Sequence, residues 1–384
     1  MKRKRRVGRT HRWLAIVRDF LSRPVAPLRE EAPARFIERF AASRRALAAR
    51  RDEAGNIHVS YPRSARQTRA PLVVVAHMDH PGFWIGESRE GVARLSFQGG
   101  VGLAHVRPGQ AVRFFERGGM KATGRGRLLK CRGRKGRLRA ATALIASGRA
   151  PTGGIAMWDF PACRIRGNGI VARNCDDGLG SAALLCLLDE LSRRRPRCAG
   201  VSAVFTRAEE LGFYGAFAAA RRGIPRRARV ISVECSRSLP DAPQGDGVVL
   251  RVGDRLSTFD PEFTAAVHQV CEELARRDKS FRYQRRLMHG GTCEASVFAA
   301  RGFSATALAV PLANYHNQTG LDGGRPGLGP ERVAVPDFLS LVRLLVELAL
   351  TRRPWPALAR ASRARLAEVA RRARRELRLH PLQP

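Results

Sequence analysis

Acidic and imidazole side chains recur where apolar runs end in this 384-residue chain. His77-Met78-Asp79 closes the run Pro71–Ala76, and Thr206-Arg207-Ala208-Glu209-Glu210 follows the run from Val201 to Phe205. Glu234-Cys235-Ser236 ends a third run, and Asn314-Tyr315-His316-Asn317 follows a fourth. Asn174-Cys175-Asp176-Asp177 precedes an apolar stretch from Gly178 to Leu191. Each piece alone has an ordinary structural reading. Asp-Asp before a helix is a common N-cap, and Glu-Glu is a charge pair favoured by the helix dipole. Together, five groups of metal-ligand type occur in order: His77, Asp176, Glu210, Glu234 and His316.

Five oxygen and nitrogen ligands can hold two divalent ions if one carboxylate bridges them, and Asp176 is central in the order. Imidazole with carboxylate suits zinc first, with cobalt or manganese as alternatives. Asp79, two residues beyond His77, is placed to accept the second imidazole N–H, fixing the tautomer. The adjacent carboxylates Glu209 and Glu210 can divide labour, one as ligand and the other as general base.

The elements that must position these groups follow from periodicity. Pro71–Ala76 is continuously apolar, as strands buried on both faces are, and Val201–Thr206 reads as a second buried strand. Residues 229–233 and 304–310 read as further strands. Residues 178–191, 211–220, 261–276 and 333–350 read as helices. Ligand sites collect at the carboxyl ends of parallel strands, which open onto one crevice. Residues 11–22 and 27–50 read as helices, and 57–61 as a strand. Between 90 and 165 short strand-like pieces alternate with Gly- and Arg-rich turns, predicting a small antiparallel β domain inserted into the α/β domain. The predicted fold class is therefore α/β, with a mostly parallel sheet flanked by helices.

Hydrophobic residues make up 44% of the chain, enough for a large core. No apolar run is long enough to span a bilayer. The basic N-terminus lacks a secretory h-region, so a cytoplasmic location is expected. The eight cysteines form no CxxC pair, which argues against a thiolate zinc site or a disulfide framework. The formal charge is +37. Residues 1–50 and 351–384 hold 25 Lys/Arg against six Asp/Glu. Two readings of this charge compete, polyanion binding by these ends and solvated charge with no partner. The second reading is preferred, because no nucleic-acid motif accompanies the charge. Residues 1–10 and 353–384 are accordingly expected to be dispensable for hydrolysis of a small aminoacyl substrate.

The motif order resembles the glutamyl-aminopeptidase and tetrahedral-aminopeptidase family of dinuclear metallopeptidases. The pieces that carry the resemblance are VVVAHMDHPGFWIGE (73–87), GNGIVARNCDDGLGSAALL (167–185), FTRAEELGFYGA (205–216), ISVECS (231–236), HGGTCEAS (289–296) and ALAVPLANYHN (307–317). It implies a metal-dependent aminopeptidase with a zinc-peptidase/phosphorylase-like fold. One ion would be held by His77, Asp176 and Glu234, the other by Asp176, Glu210 and His316. Glu209 would be the base, Asp79 would support His77, and the Asp176–Asp177 peptide would be cis. Peptides would be the substrates, and the inserted domain would support a homo-oligomer. The implied organisation is basic helices at 1–50, a catalytic domain of 51–89 and 166–352, the insert at 90–165 and a basic extension at 353–384. Three positions depart from the family pattern: Glu234 for Asp, Gly178 for Arg, and Cys293-Glu294 for Asp after Gly-Gly-Thr. The rival readings are a two-metal amidohydrolase or deacylase of the related clan, and a non-catalytic basic scaffold.

Overall fold

A computed structural model describes residues 2–62, 70–196 and 200–380. Cys198 lies outside them. In chain order, helices α1 (Lys2–Leu21) and α2 (Glu31–Ala42) lead into strands β1 (Ala48–Arg51), β2 (Ile57–Tyr61) and β3 (Leu72–His77). Strands β4 (Gly82–Arg89), β5 (Val92–Gln98), β6 (Ala111–Phe115), β7 (Ala122–Arg134), β8 (Arg137–Gly148) and β9 (Ile155–Trp158) come next. Then follow β10 (Cys163–Arg166), β11 (Gly169–Ala172), α3 (Cys175–Arg194), β12 (Val201–Thr206), α4 (Tyr214–Ala218), β13 (Arg229–Arg237) and β14 (Val248–Asp254). The chain ends with α5 (Pro261–Arg277), β15 (Tyr283–Met288), α6 (Glu294–Ala300), β16 (Ser304–Ala313), the two-residue strands β17 (Gln318–Thr319) and β18 (Gly327–Leu328), β19 (Glu331–Ala334), α7 (Val335–Leu350), α8 (Trp355–Ser362) and α9 (Ala364–Leu379).

The main sheet has the order β1-β2-β12-β3-β13-β16-β19-β11-β10, with β14 and β15 attached through β16. Its four central strands, β12, β3, β13 and β16, are mutually parallel. Burial of both faces explains why β3 is apolar from Leu72 to Ala76. Val73 and Val75 join the cluster containing Ala216, Ala219 and Phe298 on one face. Leu72, Val74 and Ala76 join the larger cluster with Leu184, Leu188 and Phe338 of α3 and α7 on the other.

Strands β4 to β9 close into a separate antiparallel barrel. Its core is aromatic, with Phe83 edge-on to Phe97 at 4.9 Å and to Trp158 at 5.0 Å between centroids. The sequence reading placed this module at 90–165. The barrel starts earlier because β4 pairs with both β5 and β9. It ends at Trp158 because β10 pairs with β11 in the main sheet.

Two stretches differ from their predicted elements. Residues 27–50, read as one helix, hold α2 and then β1, which pairs antiparallel with β2. The stretch 211–220 is a 3-10 turn, α4 and then a π turn. The C-terminal stretch, read as one basic extension, is two helices of different character. In α8, Trp355 is buried with its ring edge-on to Phe263 of α5, 5.1 Å between centroids. In α9 every described side chain is exposed.

Candidate metal centre

The parallel register sets the ligand types level with one another. Thr206 pairs with His77, and the β3–β13 ladder continued by two residues brings Glu234 beside His77. His77 Nε2 lies 3.7 Å from Asp176 Oδ1, 3.8 Å from Glu234 Oε2 and 3.9 Å from Glu209 Oε2. His316 Nε2 lies 3.0 Å from Glu210 Oε1 and 3.4 Å from Asp176 Oδ2. The two oxygens of Asp176 thus face two different imidazoles. Ligand atoms of His77, Glu209 and Glu234 gather in one group, those of Asp176, Glu210 and His316 in a second, and Asp176, Asp177 and Glu234 in a third.

Both imidazoles are turned the same way. His77 Nδ1–H donates to the backbone carbonyl of Asp79 at 3.1 Å, and His316 Nδ1–H donates to that of Gly100 at 2.8 Å. Each therefore presents an Nε2 lone pair to the carboxylates. Asp79 was expected to hold the His77 ring through its carboxylate. The carboxylate lies 3.4 Å from Nδ1, but its two oxygens accept the backbone N–H groups of Glu209 at 3.0 Å and Glu210 at 3.2 Å. Its carbonyl and its carboxylate both face His77 Nδ1, and its side chain also holds the glutamate turn.

Three further residues escaped the sequence reading, and a fourth, Glu294, entered it only as a departure from the family pattern. Glu30, at the start of α2, is buried. Its Oε1 accepts the Ala208 N–H at 3.1 Å, and its Oε2 accepts Arg207 Nε at 2.8 Å. His80 contacts the Asp176 carbonyl through Nδ1 at 2.5 Å. Glu331 of β19 accepts the Asp176 N–H at 3.0 Å. Glu294, one of the departures from the family pattern, is wholly buried beside this group. Nothing local marks these residues, since an isolated Glu at a helix start reads as an ordinary N-terminal charge.

Electrostatics follow from this crowding. Burial pushes the Glu234 carboxyl up to about 8 and Glu294 up to about 7. Burial also raises Glu209, with Glu234 and Glu210 adding to the shift against the pull of His77. Burial works against the charged form of Asp176 too, yet His316 and His77 hold it below the usual carboxylate range. Asp176 Oδ1, Glu210 Oε1, Glu234 Oε1 and both Glu294 oxygens are buried without a hydrogen-bond donor. Such a concentration of orphaned carboxylate oxygens around two Nε2 lone pairs is what a divalent cation would satisfy, so the residues present fit a metal centre.

A cavity of about 250 Å³ opens on the group, lined by Glu209, Arg251, Met288, Tyr315 and Gln318 among others. Larger grooves elsewhere, such as one by Arg50 and Arg222, hold no such constellation. Buried Arg251 faces the cavity and donates to Ser236 Oγ at 3.0 Å.

Fold and site define a class: an α/β domain with a carboxylate–imidazole centre at its parallel strand ends and an inserted antiparallel barrel. The Asp176–Asp177 peptide is cis, as the resemblance implied. The model of the M42 glutamyl aminopeptidase family matches residues 149–321. No curated protein matches the sequence. Solved structures do. The chain superposes on an aminopeptidase from the archaeon Desulfurococcus kamchatkensis with a TM-score of 0.73, 20% identity and coverage of 92% of this chain and 98% of the other. For the TET aminopeptidase of a marine sediment thaumarchaeote the TM-score is 0.73 at 16% identity, covering 91% and 99%. For the Pyrococcus horikoshii TET1 peptidase, which can assemble into a tetrahedron or a large octahedral shell, it is 0.68 at 21% identity, covering 88% and 99%. The fold is that of the TET peptidases. With the family match, these findings support a peptidase and bear out the resemblance read from the motifs.

Proposed function

We propose that this chain is a metal-dependent aminopeptidase that binds two divalent ions, zinc first among them. The observation that carries the reading is Asp176, whose two oxygens face His77 on one side and His316 on the other. His77 and Glu234 would complete one site, and Glu210 and His316 the other, with Asp176 shared. When bound, such ions lower the pKa of water and polarise a carbonyl oxygen.

Glu209 is the proposed base. It lines the cavity and Glu210 does not. Its side chain is 12% exposed, against 4% for Glu210 and 3% for Asp176. It is thus the carboxylate best placed to meet substrate, taking a proton from water and passing it to the leaving amine. Asp79 holds the backbone amides on both sides of this division of labour. A homo-oligomer is also proposed, on the analogy of the TET1 peptidase.

The test is a panel of aminoacyl and N-acylated substrates assayed with zinc, cobalt and manganese, with metal content measured on each variant. Glu209→Gln should keep its ions and lose about 10²–10⁴-fold in turnover. Asp176→Ala should lose both ions together. Near-normal turnover in Glu209→Gln would sink the assignment of the base. Cleavage of N-acylated substrates alone would turn the reading to a deacylase.

A further inference from the structure

Helix α9 packs none of its described side chains into the fold. Every described side chain from Ala364 to Leu379 is exposed. Leu366 is 70% exposed, Val369 56% and Leu377 73%. At 100° per residue Leu366, Val369, Ala370, Ala373 and Leu377 fall on one arc about 100° wide. Arg371, Arg372, Arg374, Arg375 and Arg378 fall on the opposite side. Among the described residues, no carboxylate lies within ion-pair distance of these five. The arginines of the N-terminal region are used differently. Arg12 and Arg44 reach the buried acids at the end of α3, at 2.9 Å from Glu190 and from Asp189 respectively. Arg12 of α1 and Arg44, just beyond α2, therefore have acidic partners within the fold, and these five arginines of α9 have none among the described residues.

An apolar stripe and a cationic face on one exposed helix constrain the partner. A nucleic acid would satisfy the arginines and leave the stripe in water. A second copy of α9 would cover the stripe but set two segments, each with six arginines against two glutamates, side by side. An anionic phospholipid surface satisfies both faces at once. The stripe sits at the boundary of headgroups and acyl chains, and the arginines extend their stems along the apolar surface to reach lipid phosphates. At 16 residues, α9 is too short to span a bilayer. We propose that α9 docks this protein, lying flat, on the surface of an anionic phospholipid bilayer.

Co-sedimentation of the full-length protein with phosphatidylcholine vesicles, with and without phosphatidylglycerol, tests this. The wild-type protein should bind the anionic vesicles, bind neutral ones weakly, and release as salt rises. Leu366→Ser/Leu377→Ser, which keeps every arginine, should lower the affinity about tenfold or more with no shift in thermal midpoint. Arg371→Gln/Arg374→Gln/Arg375→Gln should weaken binding and flatten its salt dependence. Equal binding of the double serine variant and wild type would overturn the proposal. So would serine changes that alter the oligomer in sedimentation velocity and leave vesicle binding intact, since the stripe would then pair with a second copy. RNA binding that needs the arginines, without any vesicle binding, would assign the helix to nucleic acid instead.

Discussion

Three successive peptide N–H groups, those of Ala208, Glu209 and Glu210, end on carboxylates from two distant parts of the chain. Glu30 takes the first and Asp79 the other two. Ala208 is left-handed at φ 50°, a conformation that costs a non-glycine residue about 1–2 kcal/mol. The clamp holds that turn and so aims Glu209 and Glu210 in different directions. Glu30→Ala should leave the Ala208 amide without its acceptor and the Arg207 guanidinium with only the Ala54 carbonyl, and destabilise the protein by about 1–3 kcal/mol. In the fraction that folds, kcat should fall with KM and metal content little changed. Glu30→Gln keeps an acceptor for Ala208 and should recover part of both losses. A folded Glu30→Ala protein with normal kcat would show that the turn holds itself.

At the scale of elements, Gly178 accounts for how α1 docks. A Cβ at this position would lie 2.5 Å from Leu21 Cδ2. The family pattern has arginine at this place, and here any side chain would require Leu21 to shift. Gly178→Ala should cost about 1–3 kcal/mol from overpacking, and Leu21→Ala about 2–5 kcal/mol from the cavity it leaves. The double variant should lose less than the sum, because each change relieves the other. Strictly additive losses in denaturant unfolding would mean that the two positions do not share the space. The barrel also reaches the centre. The Gly100 carbonyl orients His316, and the Gly102 N–H donates to Gln318 Oε1 at 2.7 Å. The insert thereby helps to hold the loop that carries one imidazole.

For the whole molecule, the buried acids are the main electrostatic burden. Asp176, Asp177, Glu234, Glu294 and Glu331 are all buried near one another, and Asp177 and Glu331 are raised well above their ordinary values, chiefly by burial. Cations bound to the native state and not to the unfolded chain would stabilise the fold by mass action. Chelation should therefore lower the thermal midpoint by several degrees, and restoring zinc should return it. A midpoint that stays put while measured metal content falls would separate the centre from stability. No helix among the described residues is long and apolar enough to cross a membrane.

The ligand types were legible in the sequence because apolar runs of five or six residues end on them, and parallel strands bring such ends to one edge. His77, Glu209, Glu210 and Glu234 need only that local rule. The run Val73–Ala76 carried the same information, since a strand covered on both faces shows no polar alternation. Other features were decided by tertiary structure. Glu30 and Glu331 lie more than a hundred residues from the groups they hold, and spacing along a chain says nothing about a pairing of that range. Glu30, in Leu28-Arg29-Glu30-Glu31, looks like any solvated helix start until burial is known. Whether an arginine is spent on an internal acid, as Arg44 is, or left outside, as in α9, depends on packing that local composition does not encode. That the Asp79 carboxylate reaches the glutamate turn as well as His77 was likewise set by how β3 and β12 lie side by side.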